Sequence, residues 1–73
     1  MITRPYTVVI EKDPETGWLV GEVVELPSCY TQAPDLPTLE ANIREVVELY
    51  LEVTGEAEPE SIFFGTMRLD ITA

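Results

Sequence analysis

The sequence predicts an α+β domain of order β-β-β-α-β, a four-stranded mixed sheet in strand order 3-2-1-4 with one helix packed on one face. Three observations predict it. Short runs of β-branched and aromatic residues, set apart by Pro, Gly and Asp clusters, fill the first half of the chain. A stretch with apolar residues at steps of three and four follows, and a segment of alternating polarity lies near the C-terminus. A strand joined through a helix to a parallel strand almost always forms a right-handed crossover, so the last strand is expected to return beside the first.

The first strand is expected over Tyr6-Thr7-Val8-Val9-Ile10, whose side chains suit a pleated, partly buried surface. Lys12-Asp13-Pro14-Glu15-Thr16-Gly17 supplies turn chemistry and predicts a hairpin into Trp18-Leu19-Val20-Gly21-Glu22-Val23-Val24. On that second strand Trp18, Val20 and Val24 share one face, and Leu19 and Val23 share the other. Leu26-Pro27-Ser28-Cys29 interrupts the pattern, Tyr30-Thr31-Gln32-Ala33 predicts a short third strand, and Pro34 to Pro37 reads as a loop. Thr38 is placed to cap a helix, with Glu40 near its positive end. Leu39, Ile43, Val46, Val47 and Tyr50 form the stripe that faces the sheet, while Glu40, Arg44, Glu48 and Glu52 line another, and Gly55 is expected to end the helix after Thr54. Glu56 to Glu60 reads as a solvated acidic connector. Met67, Leu69 and Ile71 alternate with Arg68, Asp70 and Thr72 and predict the last strand, with Gly65 at a bulge or at its start.

Composition narrows the chemistry. A chain of 73 residues forms one domain and buries only about 60% of its unfolded surface, so its own core leaves it marginal. The one cysteine, Cys29, has no partner within the chain, which fits a reducing cytoplasm, and no leader or membrane span is expected. Without histidine, a Cys/His zinc site and any imidazole-based triad are excluded. Fourteen acidic residues against four basic ones give a net charge of -10, a field that repels phosphate backbones and attracts cationic surfaces. Direct binding of nucleic acid is therefore not expected. With one helix for two sheet faces, Val9 and either Leu19 and Val23 or Trp18 and Val20 are left on the uncovered face, and self-association through that face or a sheet edge is expected to cover it, as a dimer or tetramer.

The pattern resembles the N-terminal, partial ribonuclease H-like domain of HicB-type antitoxins. The matching pieces are Tyr6 to Ile10, Gly17-Trp18-Leu19-Val20, Glu25-Leu26-Pro27-Ser28-Cys29, Thr31-Gln32 and Thr38-Leu39-Glu40-Ala41, spanning roughly residues 5–54. The resemblance implies a non-enzymatic module that masks a small basic ribonuclease toxin by protein contact. Many members of that family also carry a helix-turn-helix or ribbon-helix-helix segment; here the sequence stops at Ala73, and no separate DNA-binding domain is expected. The alternative is an orphan homo-oligomeric scaffold of the same fold that binds another protein or a small ligand.

Candidate sites follow from these readings. Glu40, Glu48 and Glu52 form the expected partner-binding stripe, competing with a plain solvated acidic face. Val9, Leu19 and Val23 form the expected oligomer interface. Glu11, Glu48 and Asp70 are the nearest set of carboxylates for two-metal hydrolysis, but each alternates or aligns with solvent-facing positions, so no catalytic residue, metal or cofactor is expected. Cys29 reads as a small buried residue, and Trp18 and Tyr30 as packing residues or interface anchors.

Overall fold

The computed structural model describes residues 4–55 and 61–72. Three strands, β1 (Val8–Lys12), β2 (Leu19–Val23) and β3 (Tyr30–Ala33), precede one helix, α1 (Leu36–Thr54). The sheet is antiparallel throughout in the order β1-β2-β3, with both β1 and β3 at edges. The expected four-stranded mixed sheet in order 3-2-1-4 is therefore corrected to three antiparallel strands: residues 61–72 form no strand, and every one of them is exposed. Alternation supplies one apolar face, but a strand also needs an edge to pair with, and within the single chain residues 61–72 make no ladder. The connector Glu56 to Glu60 lies outside the described residues.

The β1–β2 hairpin is built by the turn chemistry of its sequence. Asp13 Oδ1 accepts from the Glu15 N–H at 2.9 Å, and Thr16 Oγ1 accepts from the Trp18 N–H at 3.2 Å. The Gly17 N–H donates to the Asp13 carbonyl at 2.8 Å, with Gly17 at φ 78. Between β2 and β3 the chain folds back over Leu26, 7% exposed, and Cys29, 2% exposed. Ser28 takes φ 62 there, a left-handed conformation uncommon for a residue with a Cβ. The Glu25 carboxylate accepts from the Thr7 N–H at 2.8 Å, tying this turn to the start of β1.

Register decides which side chains face the helix. Val8 pairs with Val23, Ile10 with Gly21 and Lys12 with Leu19, while Leu19 pairs in turn with Ala33. Directly paired residues share a face, so these positions form the helix side, and Val9, Glu11, Val20, Glu22, Tyr30 and Gln32 form the open side. Leu39, Ile43 and Val47 are the buried residues of α1, and they close a core with Val23, Leu26, Cys29 and Ala33. The packing is close at one point. A Cβ built on Gly21 would lie 3.1 Å from Val8 Cγ1, 3.2 Å from Ile43 Cδ1 and 3.4 Å from Leu39 Cδ1.

The helix starts earlier than expected. Asp35, not Thr38, is its cap: Asp35 Oδ1 accepts from the Thr38 N–H at 2.8 Å, and Pro37 falls in the first turn, where its missing N–H costs no hydrogen bond. Glu40 consequently lies beyond the first turn, which contains no acidic residue. At the other end the Gly55 N–H donates to the Leu51 carbonyl at 2.7 Å with φ 75, as Gly55 was expected to do.

Two outcomes follow. Gly21→Val places two methyl-bearing branches against Leu39 and Ile43, and is expected to lower unfolding free energy by about 1–3 kcal/mol, the usual range for overpacking, in urea titration. The Thr38 hydrogen bonds hold the Asp35 carboxyl below its ordinary value. A folded-state pKa below the unfolded one gives stability that is present above the unfolded pKa and lost as pH falls through the folded one. Asp35→Ala should therefore lower the melting temperature at neutral pH, and its difference from the wild type should shrink once pH drops below about 4.

Candidate binding surfaces

Three surfaces stand out: the outward side of α1, the open face of the sheet, and a groove between α1 and β1. On α1, Glu40, Glu45, Glu48 and Glu52 are exposed. Successive steps of four residues drift around a helix, so Glu40 and Glu48 border the side next to β1 while Glu52 turns away from the sheet. The Arg44 guanidinium Nε lies 4.0 Å from Glu40 Oε2, with both side chains 73% exposed, an arrangement worth little against water and salt. The acidic stripe expected from the sequence is thus open to solvent. Glu45, which the step-of-four pattern omits, adds to it.

The open sheet face differs from the expected oligomer interface. Val23 is 1% exposed and belongs to the core under α1, and Leu19 is partly buried against that core, so neither is available to a partner. Val9, 37% exposed, is on the open face as expected. Its neighbours there are Val20 and Trp18, the other branch of the alternation, together with Tyr30. Trp18 and Tyr30 are 42% and 63% exposed and are not packing residues. Glu11, Glu22 and Gln32 interleave with them, which makes this face mixed rather than apolar.

The groove is the feature that sequence reasoning missed. The helix lies over β3 and β2 but not over β1; Val8 packs against the core, whereas Ile10, on the same side of β1, lacks a cover. Tyr6, Val8 and Ile10 form one wall and Leu39, Ile43 and Val47 the other, with Arg4, Glu40, Arg44 and Glu48 around the mouth, enclosing about 600 Å³. Ile10 remains 46% exposed although it points to the helix side. Strand alternation placed it on a face; only the lateral offset of α1 leaves it uncovered.

Chemistry-bearing groups do not converge. Glu11, Glu48 and Asp70 are all exposed, and among the described residues no three His, Cys, Asp or Glu side chains gather as a metal-holding group. Among the described residues no polar or charged residue is buried. Cys29 is buried as expected, and desolvation pushes its thiol pKa up. Among the described residues no helix is long and apolar enough to cross a membrane.

No family model matches the chain, and no solved structure matches it either. The chain is 41% identical over 66 residues to a UPF0150 protein of Archaeoglobus fulgidus, covering 90% of this chain and 93% of that one. It is 42% identical over 69 residues to a UPF0150 protein of Synechocystis, covering 94% and 97%. A UPF0150 protein of Thermotoga maritima is 36% identical over 55 residues, 75% of this chain and 73% of its own. That family name states no activity. By this likeness over nearly its whole length, the chain belongs to the UPF0150 family.

Proposed function

We propose that this chain is a non-enzymatic, cytoplasmic binding module that engages a basic protein partner, in the manner of the HicB-type antitoxins it resembles, and masks a small basic ribonuclease toxin. The observation that carries the reading is the exposed acidic side of α1, where Glu40, Glu45, Glu48 and Glu52 stand against Arg44 alone in a chain of net charge -10. Such a field raises the encounter rate with a cationic protein and lowers it with a phosphate backbone.

The first test is kinetic. Co-expression with any small basic protein encoded beside the gene should yield a complex and suppress that protein's ribonuclease activity. The association rate should fall steeply between 0.01 and 0.15 M salt, because the Debye length shrinks from about 30 Å to about 8 Å, while dissociation changes less. Reversing Glu40, Glu48 and Glu52 to Lys should slow association by on the order of tenfold or more; reversing Glu56, Glu58 and Glu60 is the comparison. A salt-independent rate, or triple variants that both associate like the wild type, would count against steering.

The second test concerns chemistry. The purified chain should leave RNA intact in the presence of magnesium or manganese. Metal-dependent cleavage that disappears in Asp70→Asn would reverse the assignment of these carboxylates to the surface.

A further inference from the structure

Residues 61–72 and the groove beside β1 are both unfilled in the single chain, and they match. Ile62, Phe64, Met67, Leu69 and Ile71 are 81%, 103%, 81%, 68% and 79% exposed. Five large apolar side chains within one short segment are far more than scattered surface residues require. Paired as a strand, the segment would put Met67, Leu69 and Ile71 on one side and Arg68, Asp70 and Thr72 on the other. The groove offers apolar walls with charged side chains only at its mouth, and the outer edge of β1 presents backbone groups that pair with no strand of this sheet.

The size of the exposed surface indicates what fills the groove. A compact protein of 8.2 kDa exposes about 4,500 Å², whereas this chain exposes 6310 Å². The excess, roughly 1,800 Å², exceeds the 800 Å² or so that each partner contributes to a standard interface. The Cα radius of gyration, 14.2 Å, is likewise larger than the approximately 11 Å of a compact domain of this length.

We infer that the groove between α1 and β1 receives residues 61–72 of a second copy of this chain, each copy giving its segment and accepting the other's. The chain's own sheet stays three-stranded; the added segment belongs to the partner. Reciprocal exchange makes the interface isologous and closed, so assembly stops at two. It covers the uncovered half of the helix side of the sheet, shields the β1 edge and buries the alternating apolar row with Ile10. The open sheet face, where Glu11 and Glu22 interleave with Val9 and Val20, is a poorer candidate, since stacking two copies there would bring like charges together.

Light scattering and cysteine pairing test this on the full chain. The wild type should have twice the chain mass at micromolar concentration. Leu69→Glu with Ile71→Glu should raise the dissociation constant by on the order of ten-thousandfold or more and leave monomer at micromolar concentration, because two apolar anchors are lost from each of two grooves; both sites are exposed in the single chain, so the helical circular dichroism should persist. Copies carrying Ile10→Cys, mixed under oxidising conditions with copies carrying Leu69→Cys, should form a mixed disulfide dimer, and copies carrying Val53→Cys in place of Ile10→Cys should not. Cys29 is buried and stays in place. A monomeric wild type, a dimer indifferent to the charged segment, or a disulfide that forms only when Ile10→Cys and Leu69→Cys share one copy would each overturn the inference.

Discussion

The architecture depends on how closely α1 approaches the sheet at Gly21. A side chain at that position would press on Val8, Leu39 and Ile43 at once, and each of them would have to give way. A core of this size has no reserve: a domain of this length has a total stability of roughly 4–11 kcal/mol, and truncating one buried leucine costs about 2–5. The missing Cβ also leaves room for Leu39 and Ile43 to lie close to the middle strand. Leu39 and Ile43 settle into the hollow over the middle strand, Ala33 lets the helix lie low over β3, and β1 is left outside the contact.

The sequence revealed local structure well and relative position poorly. The hairpin was legible because Asp13, Thr16 and Gly17 each have a specific turn role, and β3 was legible because Pro27 and Pro34 bracket a short run with strand-forming residues. The stripe of Leu39, Ile43 and Val47 was legible from its spacing. The helix start was misplaced because both Asp35 and Thr38 are competent caps, and the choice is made by Pro37, which fits the first turn and so lets the helix begin one residue after Asp35. The last strand was wrongly expected for a different reason. Alternation at Met67, Leu69 and Ile71 reports which side chains share a side, a local property, whereas pairing requires a free edge in the right place. Leu19 and Val23 were misassigned through the same limitation: periodicity separates the two faces of β2 but does not say which one the helix takes.

The surfaces differ in how far apolar side chains and carboxylates mix. Residues 61–72 hold the densest run of exposed apolar side chains, while on α1 and on the open sheet face exposed apolar residues such as Leu49, Val53, Val9 and Tyr30 are mixed with carboxylates. Glu40 and Glu48 belong to both the acidic side of the helix and the mouth of the groove, so long-range attraction and short-range burial meet there, and substitutions at these two positions should affect both.

The turn that carries Ser28 and Cys29 gives the chain an internal clock for its own opening. The thiol is enclosed by the turn and the helix, and burial disfavours its ionised, reactive form. Modification by a thiol reagent therefore waits for the turn to detach from the core, and the labelling rate measures how often that happens. Because Cys29 lies within the same core as Leu39 and Val47, slow labelling would report detachment of the helix layer as a unit, and fast labelling would report a turn that opens while the helix stays seated.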